Sequence, residues 1–191
     1  MNALGVIPAR LLSTRFPKKI LYNIDSKPMV VHVYEKAMKA KKLDDVIVAI
    51  DSIETEEVLQ NWDVKTMMTS DSHISGTDRV FEVAQNHNFN IIVNIQADEP
   101  MLEPKLIDSI IDMFEDQDCQ IATAAGRNMT DQKLLDQNIV KVVLDENNFA
   151  VNFYRDIDGR SDQYYHHIGL YAFRKQVLKK FTGLPPSKRE V

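Results

Sequence analysis

Three short apolar runs rich in β-branched residues, at 4–7, 46–50 and 91–95, restrict the chain to few architectures. Each stops at a turn-forming or charged feature: Pro8, Asp51 and the segment Gln96-Ala97-Asp98-Glu99-Pro100. Runs this short, so bounded, predict buried strands. Helical periodicity lies between them. Pro28 opens a pattern through Met29, Val30, Val33 and Ala37 that closes on Lys39, Lys41 and Lys42. Proline at the start and lysine at the end suit a helix and its dipole. Residues 55–62 predict a short helix with an acidic first turn, and 64–68 a further strand. Residues 77–86 place Val80, Val83 and Ala84 on one helical face, and 104–114 form another amphipathic pattern. A strand is expected at 120–125. Beyond it, 139–144 and 150–155 are expected to pair as a hairpin across Asp145-Glu146-Asn147-Asn148, followed by a strand at 168–173 and a helix at 175–181. Strands alternating with helices imply an α/β fold: a mainly parallel central sheet with antiparallel additions and helices on both faces. At 191 residues, a single domain over 1–191 is expected.

Composition excludes several function classes. The net charge of −5 argues against bulk attraction to nucleic acid or to anionic membranes. No apolar run approaches the ~20 residues that span a bilayer. Arg10 and Arg15 interrupt the first apolar stretch, and no basic leader precedes it, so the cytoplasm is the expected compartment. One cysteine, Cys119, allows neither an intrachain disulfide nor a cysteine-based zinc site.

In open α/β sheets, ligands sit beyond the carboxyl ends of the strands. That rule selects the loops after Ile7, Ile50 and Ile95. The first, Pro8-Ala9-Arg10-Leu11-Leu12-Ser13-Thr14-Arg15-Phe16-Pro17-Lys18-Lys19, carries four cations with two small hydroxyl residues between them. Dense positive charge with nearby backbone donors suits phosphate oxygens. The loop lacks the glycines of a Walker motif. On residues alone, a solvated basic loop and an anion cradle both remain open. Asp98, at the end of the strongest strand, suits Mg²⁺ held beside phosphates by one or two carboxylates, with a solvated turn aspartate as the alternative. Ser75-Gly76-Thr77-Asp78-Arg79 opens a helix whose free N–H groups suit a ligand, or forms a plain N-cap.

These segments together are similar to the CMP-Kdo synthetases, the 3-deoxy-manno-octulosonate cytidylyltransferase family. Val6-Ile7-Pro8-Ala9-Arg10 with Ser13-Thr14-Arg15-Phe16-Pro17-Lys18-Lys19 resembles that family's IPAR-x-x-ST-R-[LF]-P-x-K signature. Lys27-Pro28-Met29-Val30-Val31-His32-Val33 resembles GKPM-[IV]-x-[HR]-V, with Ser26 in place of glycine. Ser70-Asp71-Ser72-His73-Ile74-Ser75-Gly76-Thr77-Asp78-Arg79 resembles T-x-x-[DN]-H-x-SGT-[DE]-R. Asn94-Ile95-Gln96-Ala97-Asp98-Glu99-Pro100 resembles VNVQGDEP, with Ala97 for its glycine. Asn138-Ile139-Val140-Lys141-Val142-Val143-Leu144-Asp145, Ala150-Val151-Asn152-Phe153-Tyr154-Arg155 and His166-His167-Ile168-Gly169-Leu170-Tyr171-Ala172-Phe173 resemble its later motifs.

The resemblance implies a Rossmann-like nucleotide-diphospho-sugar transferase fold. It implies that Pro8, Ala9, Arg10, Ser13, Arg15 and Lys19 hold the CTP triphosphate, and that Ser75, Gly76, Thr77, Arg79 and Gln96 complete the nucleotide site. Arg10, Lys19 and Asp98 would be catalytic, with Asp98 the Mg²⁺ ligand. Arg155, His167 and Tyr171 would receive an acidic sugar, Kdo or a variant of it. The stretch from Arg155 to His167 departs from the family pattern and is shorter, which points to a variant such as an amino-substituted Kdo. The family's domain continues past the residues present here, with a dimer-forming helix and a second metal-binding aspartate; a homodimer is expected where that segment is present. Its product feeds lipopolysaccharide assembly. Two alternatives stand beside this expectation: a CMP-sialic acid synthetase or another sugar nucleotidyltransferase, and a nucleotide-binding module without turnover.

Overall fold

The computed structural model describes residues 1–12, 16–157 and 164–185. The elements run β1 (Ala3–Ala9), β2 (Asn23–Ile24), β3 (Lys27–Pro28), α1 (Met29–Ala37), β4 (Asp45–Ile50), α2 (Ile53–Leu59), β5 (Thr66–Met68), α3 (Gly76–Gln85), β6 (Ile91–Asn94) and α4 (Pro104–Asp112). Then follow β7 (Ile121–Gly126), α5 (Asp131–Leu135), β8 (Lys141–Leu144), β9 (Ala150–Tyr154), β10 (Tyr164–Arg174) and α6 (Lys175–Thr182). The chain divides into two compact units, one of residues 1–122 with 170–191 and one of residues 123–169.

The larger unit is an α/β sheet. β1 lies at its centre, parallel to β4 on one side, from Leu4 opposite Asp45 to Ala9 opposite Ile50. On its other side β1 is parallel to β6, with Val6 opposite Asn94. β5 extends the sheet beyond β4 in parallel, and residues 171–174 of β10 pair antiparallel with β6. The chain therefore moves outward from β1 through β4 to β5, then returns to β6 on the opposite side of β1. Such a reversal is where open α/β sheets place their ligand crevice, at the carboxyl ends of the strands, here β1 and β6.

The runs that read as strands are strands because both of their faces are covered. Leu4, Val6, Ile47, Ala49 and Ile92 pack under Val80, Val83 and Ala84 of α3, with Phe173 and Leu178 completing this buried cluster. The other helical layer is α1 and α4, whose Val30, Val33, Ala37, Ile107 and Ile111 are buried. Burying each such aliphatic side chain contributes about 1.5–3 kcal/mol. Gly5 of β1 leaves room for the side chains of Leu43 and Ile95. A Cβ there would lie 3.0 Å from Leu43 Cδ1 and 3.2 Å from Ile95 Cδ1.

Local signals set the helix ends. Ser52 caps α2 by accepting from the Glu54 N–H, which starts the helix before the expected residue 55. Pro28 stands as the N-cap of α1. The expected helix 104–114 is α4 followed by a 3₁₀ turn, Met113–Glu115.

The smaller unit is antiparallel. β8 and β9 pair as the expected hairpin, with Lys141 opposite Tyr154 and Asn148 in the left-handed region at φ 63°. The first residues of β10 pair with β8 on its other edge, Tyr164 opposite Val143. Helix α5 was not anticipated. It is one short turn capped by Thr130, too brief for a periodic pattern.

Candidate active site

The basic loop leaves β1 at the crevice. Pro8 and Ala9 end the strand, and Arg10 is exposed just beyond it. Leu11 turns inward and is buried. Its backbone works in two directions. Its N–H donates to Asp51 Oδ1 at 2.9 Å, and its carbonyl accepts from the Lys18 N–H at 3.1 Å. The second bond brings the two ends of the loop together. Lys18 adopts φ 57°, a left-handed conformation, and begins a 3₁₀ turn over Lys19–Leu21. Ser13 and Arg15 lie outside the described residues.

That turn delivers Lys19 to the acidic motif. Its Nζ donates to Asp98 Oδ2 at 2.6 Å, with both side chains about two-fifths exposed. The register of β1 with β6 explains the meeting. Val6 faces Asn94, so residues a few positions beyond each emerge at the same sheet edge. Gln96 and Glu99 form the turn around Asp98, with the Glu99 N–H donating to the Gln96 carbonyl at 3.3 Å. Partial burial and the neighbouring Asp98 charge push the Glu99 carboxyl above its ordinary value, against the pull of Lys19.

The third wall is the start of α3. Ser75 forms a capping box with Asp78, accepting from the Asp78 N–H at 3.1 Å and donating its own N–H to Asp78 Oδ2 at 3.1 Å. The N-cap expected at Ser75 or Thr77 is thus formed at Ser75. The start of α3 lies against the end of β1: a Cβ on Gly76 would stand 3.4 Å from Pro8 Cγ, an ordinary contact distance. Thr77 Oγ1 accepts from Asn94 Nδ2 at 3.4 Å.

Arg79 points the other way, into the protein. It is 2% exposed; Nη1 donates to Thr69 Oγ1 at 2.5 Å and Nη2 to Asp51 Oδ2 at 3.0 Å. Farther along α3, Glu82 accepts from His73 and from the Ser70 N–H. Partial burial raises the Glu82 carboxyl, but those bonds and the charges of His73 and Arg79 outweigh it and hold it below the usual glutamate range.

Tyr171, in the same unit, stacks on Phe173 with centroids 6.1 Å apart, and burial raises its phenol. The other two expected sugar residues belong to the smaller unit. Arg155 follows β9, exposed, with Nη1 donating to the Gln137 carbonyl at 3.3 Å. His167 Nε2 lies 3.0 Å from Thr123 Oγ1, and its ring meets Phe153 edge to face. Burial, then the neighbouring His166, holds the His167 imidazole below its ordinary value.

Sequence reasoning passed over two residues. Asp51 joins the basic loop to Arg79, and its only signal was its place after a strand. Lys141 is wholly buried, and its Nζ donates to the carbonyls of Asp136 at 2.6 Å and Arg155 at 2.7 Å. It stands in the apolar run Ile139-Val140-Lys141-Val142-Val143-Leu144, whose pattern does not tell where its ammonium goes.

Among the described residues, no group of three metal-ligating side chains occurs, and no helix is long and apolar enough to cross a membrane. What the crevice offers is a pair of adjacent carboxylates, Asp98 and Glu99, a lysine against the first, and a helix N-terminus at its wall. Mg²⁺ binds through one or two carboxylates plus substrate phosphates rather than through a full protein cage, so this donor set fits it.

A basic loop after β1, an acidic turn after β6 and a mixed sheet reversed between them define a nucleotide-diphospho-sugar transferase fold. The cytidylyltransferase family matches over residues 4–190, and the chain belongs to that family. It is 39% identical to a 3-deoxy-manno-octulosonate cytidylyltransferase of Chloroherpeton thalassium, covering all of this chain and 81% of that protein. It is 42% identical to the enzyme of the same name from Parabacteroides distasonis, over 100% of this chain and 82% of the relative. Among solved structures, it superposes on a CMP:2-keto-3-deoxy-manno-octonic acid synthetase complexed with CTP. The TM-score is 0.92 at 35% identity, covering 100% of this chain and 81% of the other.

Proposed function

We propose that this chain transfers CMP from CTP to the anomeric hydroxyl of Kdo or a Kdo-like acidic sugar, releasing pyrophosphate. The observation that carries it is Lys19 Nζ at 2.6 Å from Asp98 Oδ2 at the sheet's reversal point. Cation and carboxylate meet at the sheet edge where a phosphate ligand is expected, the ammonium suited to phosphate oxygens and the carboxylate to Mg²⁺. The names of the relatives at about 40% identity agree with the sugar.

The chemistry asks little covalent work of the protein, so alignment and charge stabilisation dominate. Arg10 and Lys19 stand ready for the β- and γ-phosphates, where negative charge grows as pyrophosphate departs. The family resemblance assigns Ser13 and Arg15 to the same phosphates; both lie outside the described residues. The first turn of α3, with Gly76 beside Pro8 and Thr77 beside Asn94, borders the cytidine. Gln96 orients the acidic turn. Asp98, with Glu99 adjacent, would hold Mg²⁺, which when bound neutralises phosphate charge and acts as a Lewis acid. For the sugar, the family resemblance nominates Tyr171 of the larger unit and Arg155 and His167 of the smaller one; a guanidinium such as that of Arg155 suits a sugar carboxylate as a fork. The setting is a cytoplasmic step supplying lipopolysaccharide assembly, with a homodimer as the working form where the family's C-terminal segment is present.

Pyrophosphate release from CTP is the test, with Kdo, amino-substituted Kdo and sialic acid supplied separately. Turnover is expected with a Kdo-type sugar. Turnover with sialic acid alone would reassign the substrate, and CTP binding without product from any of them would leave a nucleotide-binding module.

A further inference from the structure

We infer that Asp51 is a positioning residue for the triphosphate: it fixes the basic loop by sharing one carboxylate between the Leu11 N–H and the buried Arg79 guanidinium. This deepens the proposed function and rests on it. Asp51 Oδ1 accepts from Leu11 N at 2.9 Å, and Oδ2 accepts from Arg79 Nη2 at 3.0 Å. The carboxylate is 12% exposed and the arginine side chain 3%, so solvent competes weakly for either bond. Thr69 locks the far side of the fork. It accepts from Arg79 Nη1 at 2.5 Å and donates to the Ile50 carbonyl at 2.7 Å, beside Asp51 itself.

The tether continues through the Leu11 peptide. Its N–H is held by Asp51, and its carbonyl receives the Lys18 N–H at 3.1 Å. Lys18 directly precedes Lys19, whose ammonium meets Asp98. Asp51 thus sets the base of the loop, and the loop sets where its cations stand. Arg79 itself belongs to α3, so the same carboxylate ties the phosphate loop to the helix that borders the cytidine. In this arrangement Arg79 serves the nucleotide from behind, through Asp51.

Asp51→Asn can present its single carbonyl oxygen to only one of its two donors, while its amide turns on the other. α3 keeps its capping box and its buried Val80, Val83 and Ala84, so the cytidine wall stays in place. The triphosphate should suffer and the base should not. Calorimetric titration of wild type and variant with CTP and with CMP reads the difference. The expected result is a loss of about tenfold for CTP, ~1.4 kcal/mol, with CMP changed less than about twofold, and faster amide exchange at Leu11. Should Asp51→Asn fail to fold because Arg79 loses its counter-charge, the double variant Asp51→Leu with Arg79→Met removes both charges and still lacks an acceptor for Leu11; the same CTP-selective loss is expected. CTP affinity unchanged in the folded variant overturns the role of Asp51. Equal losses for CMP and CTP also overturn it and return Arg79 to direct nucleotide contact. A wild-type protein that binds neither nucleotide overturns the site itself, and this role with it.

Discussion

Lys19→Ala separates what the crevice contributes to stability from what it contributes to turnover. In the structure, the ammonium meets Asp98 at 2.6 Å, but both side chains keep about two-fifths of their surface. An ion pair so exposed is worth about 1 kcal/mol or less, and salt weakens it further. The urea midpoint should therefore barely move. Turnover should respond very differently. A charge placed against the departing pyrophosphate stabilises the transition state more than the ground state. Losing one such donor costs about 2.7–4 kcal/mol, or roughly 10²–10³ in kcat. Pyrophosphate release at saturating CTP and Kdo, beside urea unfolding of the same preparations, measures both quantities. A variant whose kcat stays within about twofold of wild type would refute the assignment, since no 10²-fold term can then be attributed to Lys19. So would a stability loss large enough to account for the missing activity.

Other residues carry separate tests. Asp98→Ala should abolish Mg²⁺-dependent pyrophosphate release, as should excess EDTA on the wild type, reversed by adding Mg²⁺; EDTA-resistant turnover would remove the metal from the proposal. His167 and His166 both sit below the ordinary histidine value, chiefly through burial. The unfolded chain then binds more protons than the folded one, so stability falls as pH drops through the ordinary histidine range towards the lowered folded values. Urea midpoints across that range should show this loss, and His167→Gln should flatten it. Gly5→Ala would push a methyl to 3.0 Å from Leu43 and 3.2 Å from Ile95, for which an overpacking cost of about 1–3 kcal/mol is expected in urea unfolding.

The later motifs show where pattern stopped being informative. Lys141 sits in a run of valines, and nothing in that pattern distinguishes a lysine that snorkels to water from one that is wholly buried on two carbonyls. Arg79 belonged to a motif that the family resemblance assigned to the nucleotide. Its sequence neighbours do not tell which way its side chain turns from α3, and in the fold it turns inward.

The order of strands and helices was fixed by the chain itself, because buried strands and amphipathic helices each impose their own spacing of apolar residues on a local window. The resemblance of the loops at Pro8, Ser75 and Gln96 likewise carried the family, since those segments are short and contiguous. Tertiary structure alone decided that Asp51 reaches Leu11 and Arg79, and that Lys19 finds Asp98. Those partners stand 28 to 79 positions apart along the chain. Such distances close only when the parallel register of β1 with β4 and β6 brings their carboxyl ends to one edge.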